Sequence, residues 1–180
     1  MNYVEYKINK SRLILVQGDI TNQVTYAIVN AANNQLSPGG GVSGAIHRLA
    51  GPELWEECKK LGGCKTGEAK VTKGYNLPAK FVIHTVGPIY SGMPQDKTDL
   101  TNCYRNSLEL ALKYNMKSIS FPSISTGVYG YPVKEAAEIA ASIIIEYLRT
   151  HSEIERVRFV LFSEEDFNTY RNAVREILKT

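Results

Sequence analysis

The residues best suited to chemistry in this sequence stand in two glycine-rich stretches. The first runs Asn30-Ala-Ala-Asn33-Asn34-Gln-Leu-Ser-Pro-Gly39-Gly40-Gly41-Val42-Ser43-Gly44-Ala-Ile-His47. Glycine admits positive φ and lets a backbone approach a ligand with no Cβ in the way. Successive N–H groups in such a loop form an anion nest, and a helix beginning near Gly44 adds the partial positive charge of its N-terminus. The second stretch is Ser123-Ile-Ser125-Thr126-Gly127-Val128-Tyr129-Gly130-Tyr131-Pro132, between a strand and a helix start. Its hydroxyls and amides can hold phosphate, and Tyr129 can pack on a sugar. Either loop alone also fits a plain surface connection, whereas two on neighbouring strands would grip a diphosphate from both sides. The first is not a P-loop, since no Lys-Ser/Thr follows, and no GxGxxG stands in its usual place after the first strand.

Other candidates are single residues. Asp19, in Gly18-Asp19-Ile20-Thr21, could accept from an exocyclic amine such as that of adenine, but the residues alone favour a helix cap. Phe162 could stack on a base or serve as a core aromatic. His84 reads as a satisfied core histidine inside an apolar strand, while His47 could face the cleft or pack behind it. No Ser-His-Asp set, carboxylate pair or metal-ligand cluster stands near the loops, so neither a metal nor a cofactor is expected. Cys58, Cys64 and Cys103 match no zinc pattern and read as reduced thiols.

These loops need elements to carry them. Strands are expected at Leu13–Gln17, Tyr26–Asn30, Lys70–Lys73, Phe81–Val86, Ser118–Phe121 and Val157–Phe162. Helices are expected from about Gly44 to Lys60 with a break near Gly51-Pro52, over Thr98–Tyr114, over Pro132–Thr150, and from a Ser163 cap to about Leu178. Strands alternating with helices imply right-handed crossovers and an α/β fold of three layers, α/β/α, around a mixed, largely parallel sheet. Ligands in such folds sit beyond the carboxyl ends of central strands, where both glycine loops fall.

The chain has 180 residues, the size of one domain over 1–180, and such a domain buries roughly 70% of its unfolded surface. A formal charge of +3, with no basic stripe interleaved with aromatics, argues against nucleic acid. Met1 to Leu13 lacks the apolar core of a signal peptide, and no apolar run is long enough for a membrane. A soluble, cytoplasmic monomer is expected.

Taken together, GDIT (Gly18 to Thr21), NAAN (Asn30 to Asn33), GGGVSGAIH (Gly39 to His47), TGEAKVTKGYNLPAKFVIHTVGP (Thr66 to Pro88) and SISTGVYGYP (Ser123 to Pro132) resemble the macrodomain family. They are most similar to its MacroD-type branch, which includes bacterial O-acetyl-ADP-ribose deacetylases. The resemblance runs from about Leu13 to the C-terminus and implies binding of ADP-ribose or an ADP-ribosylated protein. It implies that Asp19 accepts from the adenine amine with the Ile20 amide beside it. Asn33 would hold the distal ribose and act in catalysis. Gly40, Gly41, Val42, Ser43, Ser125, Thr126, Gly127, Val128 and Tyr129 would wrap the diphosphate and that ribose, and Phe162 would stack on adenine. Hydrolytic members read GVDG where this chain has Ser43, and a serine cannot act as a carboxylate base near neutral pH. Pro38 stands where a fourth glycine is usual. Three outcomes follow from the resemblance: hydrolysis of an ester at the distal ribose (from O-acetyl-ADP-ribose or from a modified acidic side chain), a reader that turns nothing over, or phosphatase action on ADP-ribose 1″-phosphate.

Overall fold

Apolar residues of the central strands point alternately into two cores, as the pleat requires. In the computed structural model, which describes residues 2–179, β1 (Tyr3–Ile8) and β2 (Ser11–Gln17) are followed by a 3-10 turn at Ile20–Asn22 and β3 (Ala27–Ala31). Next come α1 (Gly41–Ala50), α2 (Pro52–Lys59), β4 (Ala69–Lys73), β5 (Phe81–Thr85), α3 (Pro94–Lys113) and β6 (Ser118–Phe121). The order closes with α4 (Val133–Thr150), β7 (Arg156–Leu161) and α5 (Glu164–Leu178). Of the 180 residues expected in one domain, Met1 and Thr180 lie outside those described.

The strands form one seven-stranded sheet in the order β1-β2-β7-β6-β3-β5-β4. The five inner strands run parallel, and β1 and β4 pair antiparallel at the edges. Leu13, Leu15, Ala27, Val29, Ile83 and Phe159 pack under α3, α4 and α5. Val16, Ile28, Val82 and Val160 pack under α1 and α2. Burial on both faces explains the continuous apolar runs in β2, β3 and β5, and gives the expected three layers.

Four details differ from expectation. Tyr3–Ile8 forms an edge strand that pairs with β2 through a hairpin turned at Asn9, whose φ is 52°. The first helix starts at Gly41 rather than Gly44, so Val42 and Ser43 lie in a helical turn and not in a loop. The third helix starts one turn early at Pro94, where proline's fixed φ suits a first helical position. Finally, β7 ends at Leu161 and leaves Phe162 outside the strand, 87% exposed rather than in the core. No helix among the described residues is long and apolar enough to cross a membrane.

Candidate functional site

The five inner strands end on one edge of the sheet, and the motifs fall on those ends in order. Asp19 follows β2, Phe162 follows β7, the Ser123–Tyr131 loop follows β6, Asn33 to Gly40 follow β3, and Gly87 follows β5. The Gly18 amide donates to the Leu161 carbonyl at 2.9 Å, which brings Asp19 and Phe162 to adjacent strand ends although the chain separates them widely.

Between the two glycine-rich segments lies a cleft of about 400 Å³. Asn33, Gly40, Gly41, Val42 and Ser43 line one side, and Ser125, Gly127, Val128 and Tyr129 line the other. Ala31, Ala32 and Gly87 contribute from the ends of β3 and β5. Asp19, Ile20, Thr126 and Phe162 are not among its walls. Ile20 is buried under α1 in the second core, and the Thr126 hydroxyl meets Ser123 Oγ at 2.6 Å.

The glycine loop is braced from within. Asn33 Nδ2 donates to the Ser37 carbonyl and hydroxyl, each at 3.1 Å, and Asn33 Oδ1 accepts from the Ser37 amide at 3.0 Å. The Gly44 amide donates to the Gly40 carbonyl at 3.1 Å. A Cβ on Gly44 would collide with the Gly39 carbonyl oxygen, so only glycine lets the helix start this close to its own loop. No side chain caps α1, and its first-turn amides belong to residues that line the cleft. They are the unpaired donors of a helix start, carrying a partial positive charge. No Lys or Arg lines the cleft, so an anion there would be met by backbone N–H groups.

The opposite wall is fixed just as firmly. Ser123 Oγ lies 2.6 Å from Tyr170 Oη, which ties the loop to α5. The Tyr131 amide donates to the Ser125 carbonyl at 2.9 Å. Ser125 holds φ at 67°, an unfavourable region for serine that the surrounding structure must maintain. The buried hydroxyls of Ser43 and Ser125 have no hydrogen-bond partner, although both residues line the cleft. Buried hydroxyls are ordinarily paired, so two unsatisfied ones on facing walls suit a polar ligand.

Behind the glycine loop lies a histidine pair that does not line the cleft. Asn30 Nδ2 lies 3.2 Å from His84 Nδ1, and His84 Nε2 lies 2.8 Å from Thr72 Oγ1. Asn30 and Thr72 therefore engage the two ring nitrogens of His84 from opposite sides inside the core. Burial, with His47 alongside, pulls His84 down to about 3. His47 packs against Trp55 and His84, with ring centroids 6.5 and 6.4 Å away, and burial lowers its pKa too. It therefore packs behind the cleft instead of facing it.

Asp19 does act as a cap. Its Oδ1 accepts from the Thr21 amide at 2.9 Å and the Thr21 hydroxyl at 2.6 Å, while the residue as a whole is exposed. Cys58, Cys64 and Cys103 are free and buried, and burial raises their thiols to about 11, 11 and 12. The described residues hold no group of three or more His, Cys, Asp or Glu placed to bind a metal. Sequence reasoning gave Gly87 no role. The signals available were its place just past a central strand and near the end of the Thr66–Pro88 motif.

The sequence model of the macro domain family matches residues 29–140. The chain is 55% identical over 160 residues to a macro domain-containing protein of Chlorobaculum tepidum, covering 88% of this chain and 93% of that one. It is 52% identical over 168 residues to human ADP-ribose glycohydrolase MACROD2, covering 92% of this chain and 40% of that protein. The solved structure of an Oceanobacillus iheyensis macrodomain with ADP superposes with a TM-score of 0.96 at 46% identity, covering 99% of this chain and 97% of that one.

Proposed function

This chain belongs to the macro domain family, and from that premise we propose that it binds ADP-ribose and hydrolyses an ester at the distal ribose. The substrate is O-acetyl-ADP-ribose or a protein carrying mono-ADP-ribose on an acidic side chain. The observation that carries this reading is the cleft between the start of α1 and the Ser123–Tyr129 loop, with uncapped amides on one wall and an unpaired buried hydroxyl on each. The name of the human relative and the ADP in the Oceanobacillus structure agree with it.

On this reading adenine lies at the ends of β2 and β7. There Asp19, beside the Ile20 amide, accepts from the exocyclic amine, and the exposed ring of Phe162 stacks on the base. The diphosphate lies between the amides of Gly40 to Ser43 and those of Ser125 to Tyr129. The distal ribose reaches Asn33, whose amide is held still by Ser37. Water then attacks the ester carbonyl, the acyl–oxygen bond breaks, and the ribose oxygen leaves as a hydroxyl. Ser43 carries no carboxylate with which to deprotonate that water. A phosphate oxygen of the ligand, fixed within reach by the same loops, takes a proton from the attacking water and returns it to the leaving ribose oxygen.

Ser43 also favours a second reading, a reader that binds ADP-ribose in the same cleft without turnover. Calorimetric titration with ADP-ribose, followed by incubation with O-acetyl-ADP-ribose and with a glutamate-linked mono-ADP-ribosylated protein, separates the two. Binding with release of acetate or ADP-ribose is expected. Binding without release makes the protein a reader, and no binding overturns both.

A further inference from the structure

A second and larger hollow, about 620 Å³, lies between α3 and α4. It begins where the cleft ends. The Tyr90 amide donates to the Tyr129 carbonyl at 2.8 Å, and the Tyr90 and Tyr131 rings lie 4.9 Å apart. Tyr129 faces the cleft, whereas Tyr90 and Tyr131 face the hollow, so one loop forms the ridge between them. The ridge loop follows β6 and is joined by Tyr90 from beyond β5, whereas Asp19 and Phe162 follow β2 and β7.

The two walls of the hollow carry opposite charge. On α4, Glu135, Glu138 and Glu146 are exposed and share one helical stripe above Ile139 and Ile143. On α3, Lys97 and Arg105 face them. None of these five joins an ion pair among the described residues. Asp96, in contrast, is satisfied locally by the Ser91 and Gly92 amides, each at 2.8 Å.

Building on the ADP-ribose reading above, we propose that this groove holds the polypeptide flanking an ADP-ribosylated side chain. The segment lies extended, with basic residues facing α4 and acidic residues facing α3. Extended chains send alternate side chains to opposite sides, which matches two oppositely charged walls. Glu138 to Glu146, like Lys97 to Arg105, spans about 12 Å along its helix, the length of about four extended residues. The groove therefore selects among modified proteins and is indifferent to free O-acetyl-ADP-ribose.

The test uses ADP-ribose joined through a hydrolysis-resistant amide to two octapeptides, one alternating Lys and Glu and the other Gln and Ser. Calorimetry on the wild-type protein is expected to show the charged conjugate binding about three- to tenfold tighter than free ADP-ribose, the sum of two or three exposed ion pairs. The neutral conjugate should bind no tighter than ADP-ribose. Glu138→Lys with Glu146→Lys should remove the gain and leave free ADP-ribose affinity unchanged. Equal affinity for the two conjugates, with ADP-ribose still bound, overturns the groove alone. Failure to bind ADP-ribose overturns the functional reading and the groove with it.

Discussion

Gly87 and Ser125 meet so closely that no side chain fits at position 87. A Cβ there would overlap Ser125 Oγ and come within 2.7 Å of Ile124 Cγ2. The end of β5 thus serves as the backstop for a loop residue held at positive φ. Gly87→Ala is expected to cost about 1–3 kcal/mol of stability, as overpacking does, and to weaken ADP-ribose binding by displacing Ser125. Urea unfolding and calorimetry measure the two effects, and a variant unchanged in both would show that the loop relaxes freely.

Phe162 offers a cleaner probe of the base site because it is 87% exposed and supports nothing beneath it. Phe162→Ala should leave the unfolding midpoint in place while weakening ADP-ribose binding by about 1–3 kcal/mol, the worth of one stacked base. Asp19→Ala should weaken binding by about 1.5–3 kcal/mol but also lose the cap on Thr21. Full affinity in Phe162→Ala would remove the ring from the site.

Ser43 is the third residue of α1, in a first turn whose positive potential keeps a carboxylate ionised. Ser43→Asp is expected to raise hydrolysis of O-acetyl-ADP-ribose on the order of 10²-fold, the usual return on one positioned base. An unchanged rate, with ADP-ribose affinity retained, would mean that a carboxylate at this position does not reach the attacking water.

His84 makes stability depend on pH. Its folded pKa of about 3 lies below the usual histidine value, so its contribution is complete above about pH 6.5 and is lost as pH falls towards 3. Between pH 6.5 and 5, before most carboxylates titrate, roughly 2 kcal/mol should disappear. His84→Gln should flatten that slope in urea unfolding, even though it lowers the stability at pH 7. An equal slope in the variant would assign the loss to other groups.

Much of this arrangement was legible in the sequence, for reasons particular to each element. β2, β3 and β5 are covered on both faces, so their apolar runs were visible. β1 lies at the sheet edge with most of its residues only partly covered, and Tyr-Val-Glu-Tyr-Lys-Ile gave little sign of it. The start of α1 was placed late because glycines carry no helical signal, and it is the backbone bond from Gly44 to Gly40 that fixes it. The contacts of Gly87 with Ser125, and of Gly18 with Leu161, depend on strand order. No local pattern encodes strand order.

That order also governs how the protein is made. β7 is the last strand in sequence, yet it inserts between β2 and β6 in the middle of the sheet. Until it does, Asp19 at the end of β2 has no fixed distance to either glycine loop. A growing chain can therefore form the α1 turn early but cannot hold a ligand across the whole cleft. Ligand binding should favour only the fully threaded sheet, so ADP-ribose would raise the barrier to unfolding and leave the early folding steps untouched.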